Sequence, residues 1–393
     1  MFFKVKITLC LFLTMLIVER TFSQDTGTFL TATIEVEFAR EISFGDTDEV
    51  FLGRIHFVAV DDQGRVYLAD GDQTVIHVYL PDGSYNQSLG RQGSGPGEFD
   101  RVTPATQIRF RGDQIYVTDG PHRNPRRYHV FEADNMNFLY TRSLDADNKE
   151  EINDGLKLHM PELVFPILNG GILVSYRHMF TPVYFERNTN STLFYMHDEN
   201  GMMGNNKIFE HRDQVFLTTI NRTIRFYSRF FSFNRQPLLA VTREGMIFYG
   251  WSEDVNVEVH DIFGGHIRTI EYPFENLELS DQDIRDSIMR CDRGFDEGIC
   301  ADMVQEADQI PDTWPAMDEL LVDDENRLWI STIVEDLSIY EWWVLEESGE
   351  LITTFKWPRN EPIEVIKNGK MYTRETDEET GLQQVVRYKI EMF

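Results

Sequence analysis

Along most of this chain, apolar and polar residues alternate over short runs that end in small turn-forming clusters. The clearest stretch is Phe57 to Phe99, FVAVDDQGRVYLADGDQTVIHVYLPDGSYNQSLGRQGSGPGEF. Ile55, Phe57 and Ala59 fall on one face of a strand, with Val58 and Val60 on the other, as expected of a strand covered on both sides. Asp61-Asp62-Gln63-Gly64 has turn chemistry, glycine supplying a positive φ and aspartate an acceptor for backbone donors. Val66-Tyr67-Leu68-Ala69, then Ile76-His77-Val78-Tyr79, then Tyr85 to Leu89 continue the strand pattern, with Pro81-Asp82-Gly83 turning between the last two. The pattern predicts four short strands joined by tight connections, followed by a glycine-rich exit.

The second strand of this unit recurs down the chain. A turn residue precedes an apolar triplet at Val66-Tyr67-Leu68, Ile115-Tyr116-Val117, Ile172-Leu173-Val174, Ile247-Phe248-Tyr249, Leu328-Trp329-Ile330 and Met371-Tyr372-Thr373. Pro104, Pro161, Pro237, Pro315 and Pro362 each stand shortly before a first strand, where a missing donor costs no ladder bond. Six copies predict six four-stranded units. One such unit cannot bury its own faces, so the units must pack on one another. The fold class expected is all-β: a six-bladed β-propeller of antiparallel blades.

The first unit resembles an NHL-type repeat, the blade of a family of six-bladed propellers of the NHL-like and TolB-like kind. The likeness rests on V-Y-L-A-D after the turn glycine, I-H-V-Y, P-D-G and the tail G-x-x-G-x-G-P-G-E-F. Later blades lack that tail.

The last unit supplies three strands, Glu364 to Ile366, Met371 to Arg374 and Val385 to Ile390, before the chain stops. The fourth is expected from the alternating run Thr33 to Phe38, which would close the ring and remove a free sheet edge. Two segments break the rhythm. His211 to Gln236, rich in Phe and Arg, is expected to form a long last strand and a loop over the outside. Residues 279–313 predict a helical insertion between blades four and five: Ser280 with Asp283 forms a capping signal, Ile284 and Ile288 lie four apart, and Cys300, Met303, Val304 and Ala307 share a face. Asp292-Arg293-Gly294 turns the chain between the two helices.

Composition changes this picture in three places. Residues 1–24 carry Lys4 and Lys6, an apolar run from Ile7 to Val18 and a Thr21-Phe22-Ser23 cleavage site, the order of a secretory signal peptide. The run is too short for a membrane span of about 20 residues, and Cys10 lies inside it rather than after it. The expected location is therefore secreted or periplasmic, with residues 25–393 as the propeller. Outside the signal only Cys291 and Cys300 remain, and an even count in an exported chain favours a disulfide over a metal site lacking further Cys or His. The sequons at Asn86, Asn190 and Asn221 matter only where exported proteins are glycosylated. The net charge of −29 repels nucleic acid and anionic membrane and suits a soluble monomer.

Candidate chemistry is sparse. No Ser-His-Asp order, HExxH motif or phosphate loop is present. In a propeller the strand-four-to-one and two-to-three connections gather at one end of the channel, the end where ligands usually bind in this architecture. There His122, Arg123, Arg126 and Arg127 in blade two, with Arg91 and Arg101 nearby, could hold a carboxylate or sulfate bidentately. The competing reading is a set of surface ion pairs, each worth little. Asp70 and Asp119, at equivalent blade positions, read as loop braces. Glu162, Asp318, Glu319 and Glu361 precede or begin first strands and could ring the mouth with oxygen ligands suited to calcium. The functional expectation is a binding or scaffolding module for a small anionic ligand, glycan or protein at the channel mouth. The alternative is a metal-dependent hydrolase or lyase, resembling the propeller lactonases and amidating lyases that hold a metal there through specific Asn or His positions.

Overall fold

The strands foreseen from the alternation hydrogen-bond in runs of four consecutive neighbours. The structure, a computed structural model, describes residues 34–47, 50–120, 125–152, 154–168, 170–178, 190–220, 226–292, 298–307 and 309–393. The proposed signal segment lies outside them. Six four-stranded antiparallel blades form a ring, whose first strands are Ile55–Val60, Ile108–Arg111, His159–Pro166, Pro237–Val241, Met317–Val322 and Ile363–Lys367. Pro237 opens its strand, and Pro161 sits inside one beside a register shift, both places where a lost donor is tolerated.

Each recurrent triplet lies in the second strand of its blade, and its central side chain is buried: Tyr67, Tyr116, Leu173, Phe248, Trp329 and Tyr372. Apolar burial is organised by seam. Tyr67, Ile76 and Val78 pack on Ile115, Val117 and Phe131 between blades one and two. Val257 and Val259 pack on Leu320 and Ile330 between blades four and five, and Val344 on Ile366 and Met371 between five and six. Both faces of every blade are used, which is why first strands lack clean alternation.

Turns at the end of the first strands repeat their chemistry. Gly64 has φ 78°, and Asn326 takes the same left-handed place in blade five at φ 63°. Asp61 accepts hydrogen bonds from the Arg65 backbone at 2.9 Å, Arg65 Nε at 2.6 Å and the Tyr67 hydroxyl at 3.0 Å. Asp323 repeats this with Arg327 N at 2.8 Å, Arg327 Nε at 2.7 Å and Trp329 Nε1 at 3.0 Å.

The N-terminal strand closes blade six as expected, but its bounds differ. It runs Val36–Phe44 and pairs with Gln383–Met392, beyond the Thr33 to Phe38 run legible in the alternation. A register shift between Arg40 and Ile42 breaks the alternation there, and the Glu41 carboxylate turns to Lys370 at 2.5 Å and Arg387 at 2.8 Å.

The segment from His211 to Gln236 also departs from expectation. The last strand of blade three, Met203–Arg212, ends two residues into the segment, and a β-hairpin, Leu217–Ile220 with Phe226–Arg229, stands where a long strand and an outside loop were expected. It packs on the helical insertion, whose helices are Asp281–Asp292 and Ile299–Gln305. Leu217, Phe231 and Phe233 share one apolar cluster with Cys291, Ile299, Cys300, Met303 and Trp314, a burial that an outside loop could not provide. Ser280 and Asp283 cap the first helix reciprocally, Ser280 N donating at 3.0 Å and Asp283 N at 3.2 Å. Cys291 and Cys300 form a disulfide across the pair. Arg293 and Gly294 lie outside the described residues.

Two outcomes check this account. A chain starting after Phe44 leaves the outer edge of Gln383–Met392 without a partner, and it should aggregate or melt well below the intact protein by scanning calorimetry. Asp323→Ala removes the acceptor of the buried Trp329 Nε1 and of Arg327 Nε while leaving Arg327 its ion pair with Glu325, so it should lower urea-unfolding stability by about 1–3 kcal/mol, the cost of an unsatisfied buried donor.

Candidate functional site

All six first strands border one cavity of about 420 Å³ on the ring axis. Phe57, Leu163, Phe165, Leu239, Leu321 and Val365 give it apolar walls. Its lining continues onto the one-to-two turns at Arg243, Glu244, Asp324 and Asn326. The cavity thus lies toward the end of the channel opposite to the one expected to bind ligand.

A bar of charge crosses that end. Arg243 of blade four donates to both oxygens of Asp62 in blade one at 3.0 Å, and Lys367 of blade six reaches the same carboxylate at 2.7 Å. Blades one and four stand opposite each other in a six-membered ring, so this contact spans the axis. Burial pulls the Asp62 carboxyl up, but the Lys367 hydrogen bond and both positive charges outweigh it and hold it below the usual range.

Above the bar lies Arg109. Its guanidinium sits 5.3 Å from the Phe57 ring and 5.4 Å from the Phe165 ring, and its Nε is buried without a hydrogen-bond partner. Desolvation pulls its pKa down to about 10, and among the described residues no carboxylate opposes the shift. Two cation–π contacts worth about 1–2 kcal/mol each do not replace the hydrogen bonds that a guanidinium makes in water. Arg109 can therefore accept a further partner.

The opposite part of the channel holds acids. Burial first, then the charges of Asp318 and Glu364, push the Glu319 carboxyl up to about 8, while Arg374 opposes the rise. Glu364 is raised by burial despite its 2.8 Å ion pair with Arg374. Asp318 accepts from the Tyr340 hydroxyl and from Gln236 Nε2 at 3.2 Å. A carboxyl protonated near neutral pH can donate a proton or a hydrogen bond.

The residues singled out from sequence are distributed as follows. Arg91 pairs with Glu98 at 2.7 Å, and Arg127 with Asp119 at 2.7 Å. Arg101 and Arg126 are exposed, while His122 and Arg123 lie outside the described residues. Asp119 also accepts from the Asp100 and Arg101 backbones at 3.1 Å, and Asp70 from Gly53, Asp72 and Gln73, so both brace loops. The four carboxylates are spread over three blades. Glu162 pairs with Arg177 at 2.9 Å in blade three, Asp318 and Glu319 belong to blade five, and Glu361 is raised by burial and by Glu375 in blade six. Among the described residues no group of three or more His, Cys, Asp or Glu is arranged to hold a metal ion.

Arg109, Asp62, Arg243 and Lys367 were missed as a site. Register would have found the first. Ala59, Arg109, Phe165, Ala240, Leu321 and Val365 each pair with the central residue of a second-strand triplet, and only blade two carries a charge there.

Fold and channel together define a six-bladed β-propeller with a cavity on its axis. The chain belongs to the DUF5128 family, described as a 6-bladed beta-propeller, whose profile matches residues 22–219. No curated protein matches it in sequence. Among solved structures it is similar to a member of the duf4221 family from Bacteroides vulgatus ATCC 8482, at 13% identity and TM-score 0.51, over 91% of this chain and 99% of that one. It is also similar to a candidate exported protein from Bacteroides fragilis NCTC 9343, at 11% identity and TM-score 0.50, over 91% and 95%. At these identities the likeness shows the fold alone. Among the described residues no helix is long and apolar enough to cross a membrane.

The Glu319 environment sets a pH dependence. Its carboxyl titrates near 8 when folded and near the ordinary 4.5 when unfolded, so the folded state binds more protons between those values and stability falls as pH rises through that window. Glu319→Gln should flatten that fall and make the variant the more stable protein above pH 8. Urea unfolding at pH 5 and pH 9 checks this; equal changes at both pH values would refute it.

Proposed function

We propose that this protein is an exported binding module that takes a small ligand into the axial cavity beside the one-to-two turns. The observation that carries the reading is the cavity itself: about 420 Å³, bordered by all six blades, apolar-walled, with a few charged groups at its edge. That is the size and character of a small-molecule site. The disulfide and the basic-then-apolar N-terminus support an oxidising, extracytoplasmic setting. Arg91 and Arg127 are already paired, so the blade-two loop is the weaker candidate for capturing an anion.

A second reading, a hydrolase or lyase, is favoured by Glu319, whose carboxyl stays protonated near neutral pH in the same channel. It differs in one consequence: Glu319→Gln would abolish turnover under that reading and leave ligand affinity unchanged under the first.

Soaking crystals of the mature protein with a neutral fragment library should place fragments on the axis between Leu239 and Phe57. Leu239→Trp, which narrows the cavity, should weaken those fragments at least about tenfold, roughly 1.4 kcal/mol, by isothermal titration. Fragments that seat only elsewhere, or that bind Leu239→Trp as well as wild type, would remove the channel as the site.

A further inference from the structure

We propose that the axial cavity is a carboxylate site: Arg109 anchors the acid group of a small organic carboxylate whose apolar body lies against Leu163, Leu239 and Val365. This rests on the channel reading above and narrows it to a ligand class.

Three independent observations meet on Arg109. The first is register. Five blades place Ala59, Phe165, Ala240, Leu321 and Val365 at this level, and blade two alone places a cation there. An apolar side chain would meet every packing demand the other blades reveal.

The second is pairing. The chain carries 66 Asp and Glu against 37 Lys and Arg, so acidic partners are abundant. The other cations of the cavity use them: Arg243 and Lys367 share Asp62. The lining acids are engaged as well, Glu364 with Arg374, Asp323 with Arg327, and Asp324 with the Asn368 backbone at 3.0 Å. Glu244 sits on the rim turn. Among the described residues the Arg109 side chain has neither an ion pair nor a hydrogen bond, and its buried Nε is left over. Charges withdrawn from water are ordinarily paired, so this partly buried, unpaired guanidinium in a ligand-sized cavity marks a place for an anion.

The third is orientation. Phe57 and Phe165 flank the guanidinium at 5.3 and 5.4 Å, one from each neighbouring blade. Aromatic flanks hold the planar group while its donors stay in the plane, the arrangement that meets a carboxylate bidentately. The walls are apolar, which favours a carboxylate carrying a hydrocarbon or aromatic body over a bare, strongly hydrated anion.

The test uses benzoate and hexanoate as probes, benzamide and hexanamide as their neutral counterparts, and inorganic phosphate as a bare anion. Binding to the intact mature protein is read by isothermal titration and saturation-transfer NMR at low salt. Wild type should bind at least one carboxylate and prefer it to its amide by about tenfold, the worth of a charged hydrogen bond. Arg109→Met keeps the stem between the rings and should erase that preference; Arg109→Lys keeps the charge without the fork and should retain part of it. Melting temperatures establish that each variant is folded, and Arg109→Lys alone suffices if Arg109→Met is not. Equal binding of acid and amide, phosphate binding as tightly as the carboxylates, a preference that survives both variants, or no binding of either carboxylate would each overturn the proposal. If the amides seat on the axis and are weakened by Leu239→Trp while the acids gain nothing, the channel reading stands and the carboxylate assignment falls. If nothing seats on the axis, both fall.

Discussion

The pairing of Val36–Phe44 with Gln383–Met392 joins the two ends of the chain, and the axial cavity exists because of it. Six wedge-like blades have apolar residues on both faces, so each needs two neighbours. An open row would leave two large faces in water; closing it converts both into a seam. The last seam is ordinary in composition, with Phe44, Val58, Leu68 and Tyr372 packed together, but it spans the greatest sequence separation. Hydrogen bonds between Glu35 and Phe393 at 3.3 and 2.9 Å bring the closure to the terminal residue.

Closure also dictates where chemistry can sit. The seams are lined with buried apolar side chains. The cavity lies on the axis, where six first strands converge without a partner beyond them. Side chains there answer to water and to one another across the ring, as Arg243 and Asp62 do from opposite blades. The same axis separates two electrostatic environments: Arg109 with the Asp62 bar toward one end, and the crowded carboxyls Asp318, Glu319 and Glu364 in the other part. In a chain of net charge −29 the first is the unusual one.

The two irregular segments form one structure. The hairpin after blade three and the stapled helices after blade four both leave from strand-four-to-one connections, so they emerge on the same end of the ring and bury each other's apolar residues. Thr219 donates to Glu306 at 2.7 Å and Arg235 to the Thr313 carbonyl at 2.7 Å, tying hairpin, helices and ring together. With only seven residues in the second helix, the disulfide supplies an order that local helix propensity would not.

Much of the fold was legible in the residues themselves: blade number, antiparallel order, the closing strand, the helical insertion and its cysteine pair. Each depends on local periodicity or on a count, and a strand's period of two or a turn's need for glycine is written in neighbouring positions. Asp61-x-x-x-Arg65-x-Tyr67 and Asp323-x-x-x-Arg327-x-Trp329 are of this local kind. The candidate site was not. Arg91 and Arg127 stood out as a basic cluster, but the fold placed Glu98 and Asp119 against them. Arg109, one arginine in an ordinary strand, became distinctive only when Phe57 and Phe165 arrived from the adjoining blades and no acid did. Asp62 and Arg243, 181 positions apart, meet because blades one and four face each other. Backbone periodicity is a property of short segments and can be read from them; the desolvation and pairing of a charge depend on what the ring brings within a few ångströms, and tertiary structure alone decides that.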